Sequence, residues 1–286
     1  MGYELLTSSR RTGTRLKELR NLFESGITAR AIFEKLQSCL SEADAIEIAK
    51  ILRDRDFDVA GVQKHPKGPV IAFVSRESLR DGTVRNHLEQ LTAEHLISDS
   101  TPLASLLSIF KTRERVFVLV GEQVMGIITR ADLNKPPVRV YLFGLISLLE
   151  THFTYWVEKA CPNDEWTGKL SGNRLKKAKE LLLFRQSRNQ QTDLLDCLQF
   201  CDKRELILDL ESVCNDLFLG EKKIAKERLH RAEDLRNLLA HSQEDLTTGS
   251  SWLELIEVVE WIEKVVYKSD DLIEKNATES AGDNQN

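Results

Sequence analysis

At 286 residues, with 41% apolar and 30% charged side chains, the chain has a globular composition and the length of two ordinary domains, which excludes wholesale disorder. A net charge of −5 excludes a broadly basic nucleic-acid binder but leaves room for a local basic patch. Five scattered cysteines, a start with no basic-then-apolar leader, and an apolar run over 138–157 broken by Arg139, Glu150, Thr151 and His152 predict a cytoplasmic protein with reduced thiols and no membrane span.

In chain order, residues 1–30 read as a polar lead-in with a helical stretch over 16–23. A helix–strand–strand–helix unit then occurs twice, over 31–82 and 83–135. The first copy has an amphipathic helix from Ser41, strands at 59–62 and 70–74 joined by a turn at Gly68-Pro69, and a helix starting at Ser75. The second has a helix from Ser100, strands at 116–120 and 124–128 joined at Gly121-Glu122, and a helix starting at Thr129. Phe73-Val-Ser-Arg-Glu-Ser-Leu and Ile127-Ile-Thr-Arg-Ala-Asp-Leu match in pattern about 54 residues apart, which indicates internal duplication.

This repeat, and above all Gly126-Ile-Ile-Thr129-Arg-Ala-Asp132, resembles a tandem CBS pair (Bateman module) over roughly residues 25–135. The resemblance implies a regulatory adenine nucleotide, AMP, ADP, ATP or a related adenosine ligand, with Asp132 on the ribose hydroxyls and Thr129 reaching ribose or phosphate. The first copy carries Ala72, Ser75 and Ser78 at the matching positions, so at most one good pocket is expected, at Thr129 and Asp132. The plainer alternative is that Thr129 caps a helix whose N-terminus Asp132 favours electrostatically.

All four tryptophans follow Pro136-Pro137, and the pattern over 138–268 is helical. Helices are expected at 138–159, at 175–184 with a continuation at 194–200, at 204–219 with Gly220 as C-cap, at 222–241 and at 252–268. Residues 276–286 read as a disordered tail. Between 168 and 191 stand seven basic residues against one acid, and Lys176, Lys177, Arg185 and Arg188 are candidates for tracking an RNA backbone, with a solvated helix face as the plain alternative. No His/Cys spacing suggests a metal site.

Arg236-Asn237, three residues, His241 is the stretch with most chemistry. Cutting RNA without a metal requires proton transfer at the 2′- and 5′-oxygens and stabilisation of an anionic phosphorus centre. A histidine moves protons in the working pH range, an arginine fork holds phosphate oxygens, and an asparagine can orient either. Asn237 and His241 are four apart and share a helix face, whereas Arg236 and His241 are about 140° apart at about 100° per residue. The stretch resembles the signature of the HEPN superfamily of helical domains. That resemblance implies a homodimer whose composite cleft is a metal-independent endoribonuclease site. Here His241 would transfer protons, Arg236 would stabilise the phosphate and Asn237 would orient them, with no catalytic cofactor. The overall expectation is an α+β protein, an N-terminal CBS pair followed by an all-α HEPN-like bundle. Two other readings stay open: a non-catalytic dimerisation, RNA- or partner-binding protein, and a toxin held by an antitoxin.

Overall fold

The computed structural model describes residues 15–218, 222–241 and 245–283. They divide into two compact units, one of residues 22–139 and one combining residues up to 21 with those from 140 onward. The lead-in therefore divides. α1 (Leu16–Gly26) packs Leu16 and Leu19 with the second unit, where Leu16 N–H meets Asp270 and the Leu19 side chain lies against Gly144.

In the first unit β1 (Glu34–Lys35) and β2 (Ser38–Leu40) lead to α2 (Ala45–Asp54), then β3 (Val59–Gln63) and β4 (Val70–Ser75). After β5 (Glu89–Gln90) the pattern repeats as β6 (Leu96–Ser98), α3 (Leu103–Phe110), β7 (Arg115–Val120) and β8 (Gln123–Thr129). Asp44 caps α2, its carboxylate accepting from Glu47 N–H at 2.9 Å. In each copy the first strand runs parallel to the second, which a crossover helix permits, and the second pairs antiparallel with the third through a hairpin. The duplication extends to its irregularities. A bulge skips Ile71 between Val62 and Gln63, and another skips Met125 between Val118 and Leu119. Gly121 takes the left-handed φ of +62° in the second hairpin; in the first, Lys67 rather than Gly68 does so, at +64°.

The two four-stranded sheets, β2-β3-β4-β5 and β1-β8-β7-β6, exchange their outer strands. β1, at the start of the first copy, closes the second sheet, and β5, at the start of the second copy, closes the first. Leu36, Val59, Phe73, Phe117 and Val124 pack as one cluster, with the Phe73 and Phe117 rings 4.8 Å apart. Of the helices expected to start at Ser75 and Thr129, the first does not form and the second is a short 3₁₀ helix. At Ser75 the chain makes a turn, ending at Gly82 with φ +89°. At Thr129 a 3₁₀ helix, Arg130–Asn134, stops at Lys135, which is extended because Pro136 follows.

The second unit is helical: α4 (Pro136–Ala160), which enters it at Val140, α5 (Gly172–Gln186), α6 (Phe200–Asp209), α7 (Glu211–Phe218), α8 (Lys222–Ala240) and α9 (Trp252–Asp283). Three expectations change. Residues 194–200 are not a helical continuation but a 3₁₀ turn, Leu195–Cys197, before α6. The single helix expected at 204–219 breaks at Leu210 (ψ 85°), although its apolar spacing runs on through Val213 and Leu217; its C-cap Gly220 lies outside the described residues. α9 continues through Asn276 to Asp283, within the stretch expected as a disordered tail, whose last residues, 284–286, lie outside the described residues. α4 and α9 are joined in the core by polar groups: Trp156 Nε1 donates to Ser269 Oγ and His152 Nδ1 meets the same oxygen, both at 2.7 Å. The indole N–H can only donate, so Ser269 Oγ accepts from Trp156 while it bonds His152 Nδ1.

Candidate functional site

Ala225, Leu229, Ala232 and Leu235 form the buried stripe of α8 and set its rotation. Behind it Arg204 of α6, 5% exposed, clamps the helix. Its Nη1 donates to His230 Nδ1 at 2.8 Å and pairs with Glu233, and its Nη2 donates to Glu205 at 2.6 Å. Nothing in the sequence marks this clamp, since no helical spacing links Arg204 to α8.

With α8 so held, Asn237 and His241 open into a cavity of about 510 Å³ between α8 and the start of α9. Its floor is apolar (Leu235, Leu246, Leu255) and its polar lining adds Arg231, Asp234, Ser250 and Glu254. Residues 245–251, leading into α9, hydrogen-bond among themselves and to the first turn of the helix. Asp245 accepts from Thr247 N–H at 2.8 Å, and Ser251 and Glu254 cap α9 reciprocally at 2.8 to 3.2 Å. The Ser251 N–H and hydroxyl, and then Arg231, hold the Glu254 carboxyl below its usual range. Arg236 does not line the cavity; it donates to Asn237 Oδ1 at 3.4 Å, a long bond. The cation that lines the same cavity is Arg231, about 15 Å from His241 along α8 at the helical rise and 3.4 Å from both Glu227 and Glu254. Sequence reasoning passed over it, although Arg231, Asp234, Leu238 and His241 share a face at i, i+3, i+7 and i+10. The cavity thus offers a proton carrier, an amide and a cation, together with two carboxylates that oppose phosphate on charge alone.

The four basic candidates separate. Lys176 pairs with Glu180 at 4.0 Å, and Arg185 donates to the Asp196 carbonyl at 3.2 Å. Lys177 is exposed, and the Arg188 guanidinium lies 4.3 Å from the centre of the Phe184 ring.

In the first unit Thr129 and Asp132 are together. Asp132 Oδ2 accepts from the Thr129 N–H and hydroxyl, and Oδ1 pairs with Lys135 at 2.8 Å; the carboxylate is largely buried. Burial alone would lower the Lys135 pKa, but the Asp132 and Glu34 carboxylates raise it above its ordinary value. The Phe33 ring covers Gly126, where an added Cβ would meet it at 2.3 Å. In the first copy, Ser75 donates to Glu89 at 2.5 Å and Ser78 to the Ser75 carbonyl at 2.8 Å. A cavity of about 320 Å³ opens beside Ser75, lined from both copies by Phe73, Phe117, Glu89, Arg113 and Arg115; neither Thr129 nor Asp132 lines it, so it does not lie where the one good pocket was expected.

No family model matches the sequence, and no curated protein matches it. Solved structures resemble part of it. The CBS domain of the bacterial CNNM/CorC family Mg2+ transporter in complex with ATP is 14% identical, over 41% of this chain and 90% of that one, with a TM-score of 0.34. The CBS domain pair of protein MJ0100, in complex with 5′-methylthioadenosine and S-adenosyl-L-methionine, is 16% identical over 37% and 95%, with a TM-score of 0.32. CBSX2, a CBS-pair protein from Arabidopsis thaliana, is 13% identical over 40% and 95%, with a TM-score of 0.34. These are partial likenesses, and the architecture of the first unit rests on its own sheet pairing and register.

Proposed function

We propose that the chain joins an adenosine-ligand sensor, its duplicated sheet unit, to a helical unit that cuts RNA without a metal as a homodimer. What supports the second half is one observation: Asn237 and His241 project into one open cavity on an ordered scaffold. His241 carries the proton transfer and Asn237 orients the reacting groups. Arg236, turned away from its own copy's cavity, serves the phosphate of the site completed by a second copy. The first half is supported by the paired sheets with their aromatic, carboxylate- and arginine-lined cavity, which offers a face for a flat base, acceptors for ribose hydroxyls and cations for phosphate. AMP, ATP and S-adenosylmethionine are the ligands to try first.

The deciding experiment is cleavage of a mixed RNA pool in EDTA by wild type and His241→Ala, with and without AMP or ATP. Cutting by wild type alone supports the reading, and a change with nucleotide ties in the sensor. Cutting that survives His241→Ala overturns the assignment. A second reading, non-catalytic partner binding, is favoured by Asp234 and Glu254 in the same cavity. It predicts no cutting by either protein.

A further inference from the structure

α5 is a helix with little to cover it. Ala178 is its one buried residue, while Leu183 and Phe184 are 66% and 53% exposed and Leu181 is exposed beside them. Large apolar side chains grouped on a solvent-facing helix mark a contact surface. Their neighbours give it a charge. Arg174 pairs with the buried Asp202, Arg185 turns to the Asp196 carbonyl, and Lys176 meets Glu180. Lys177, Lys179 and Arg188 remain as cations not committed to a carboxylate among the described residues.

Lys177, Leu181 and Phe184 stand at i, i+4 and i+7, one stripe about 10 Å long at the helical rise, and Arg188 follows in the turn just past the end of α5. The Arg188 guanidinium lies over the Phe184 ring, and the residue is still half-exposed. A ring of this kind, flanked by fixed positive charge, suits a flexible polyanion that carries flat bases. The stacking is tolerant of sequence, and the cations follow the backbone. A second copy fits poorly, because a twofold axis on this face would set Lys177, Lys179 and Arg188 against their own counterparts.

We infer that the outer face of α5 docks single-stranded RNA, with Phe184 as stacking platform and Lys177 and Arg188 as phosphate contacts. This rests on the reading of the helical unit as RNA-acting and adds to it where the strand is held outside the His241 cavity.

The test is fluorescence anisotropy of the full chain with a labelled 20-nucleotide 2′-O-methyl-uridine strand, which cannot be cut by attack of a 2′-hydroxyl. Phe184→Ala should weaken binding about tenfold and Phe184→Trp should retain it. Lys177→Glu with Arg188→Glu should weaken it further and flatten its salt dependence. Binding within twofold of wild type in all these variants would overturn the inference, as would capture of poly-glutamate but not of the RNA strand, which would assign the face to an acidic protein. Failure here is separable from failure of the cleavage reading. A wild type that cuts natural RNA as fast as its α5 variants loses only the docking face, whereas one that binds the strand through Phe184 and never cuts loses only the nuclease.

Discussion

Asp132 accepts hydrogen bonds from both the backbone N–H and the hydroxyl of Thr129, at 2.7 and 3.0 Å, so the two residues nominated for nucleotide binding are bonded to one another. The same carboxylate neutralises Lys135. Asp132→Asn should therefore cost about 1–3 kcal/mol of stability even without ligand, because a largely buried charged cap and ion pair are lost together. Thr129→Ala should cost about 1 kcal/mol. Urea denaturation of the two variants measures this. Calorimetry with AMP then separates a ribose role from a structural one: if Asp132 also holds ribose, binding disappears under conditions where the variant is still folded.

Gly126 is required by the Phe33 ring packed on it. Gly126→Ala forces an aromatic side chain in a packed region to move and should cost about 1–3 kcal/mol. Gly61→Ala meets the ends of Leu36 and Val70 side chains, at 2.9 and 3.0 Å, and should cost less. A double variant, Gly126→Ala with Phe33→Leu, should regain part of the loss in thermal midpoint. If it does not, the close contact is not the cause.

Burial pulls the His152 pKa down from 6.5 to about 4, and its Nε2 stands 3.7 Å from Asp270, too far for a hydrogen bond. The folded pKa lies below the unfolded one, so the unfolded chain takes up the proton first. The stability contributed by neutral His152 is complete above pH 6.5 and is lost as pH falls towards about 4, a loss of order 3 kcal/mol. Asp270 acts in the opposite sense. Burial raises its pKa despite the Leu16 N–H and Arg15, so the folded state gains on protonating it. His152→Gln should lower stability at pH 7.5 and flatten its decline between pH 6.5 and 4.5, as measured by urea midpoints. An unchanged decline would mean that another group carries it.

Arg236 lies outside the cavity that Asn237 and His241 share, which makes the two-copy site testable by mixing. Arg236→Ala and His241→Ala should each lose about 10²-fold or more in cleavage rate. Both side chains are exposed, so thermal midpoints should stay close to wild type. Equal mixtures that exchange subunits contain one intact composite site in each mixed dimer and should recover about a quarter of wild-type activity. No recovery in a verified heterodimer would place the whole site within one copy, where Arg231 is the cation, and Arg231→Ala would then be the damaging change.

How much could be read in advance varied with the range of the interaction. The duplicated strands were legible because β-branched runs bounded by glycine carry their own signal, and Phe73 and Ile127 do occupy equivalent register positions. The shared face of Asn237 and His241 followed from helical geometry. The break at Leu210 did not, because apolar spacing crosses it unchanged. The short 3₁₀ turn after Thr129 was readable in principle from Pro136, which holds the residue before it extended.

The sequence by itself determined the local matters: where helices and strands arise, that a unit is duplicated, and which side chains lie one turn apart on α8. Only the tertiary structure decided which outer strand closes which sheet, that Arg204 clamps α8 through His230 and Glu233, and that Arg231 rather than Arg236 shares the cavity with His241. The reason is physical. Periodicity records which face of an element is buried, but it does not record the partner that buries it, and a pairing across distant parts of the chain leaves no periodic trace.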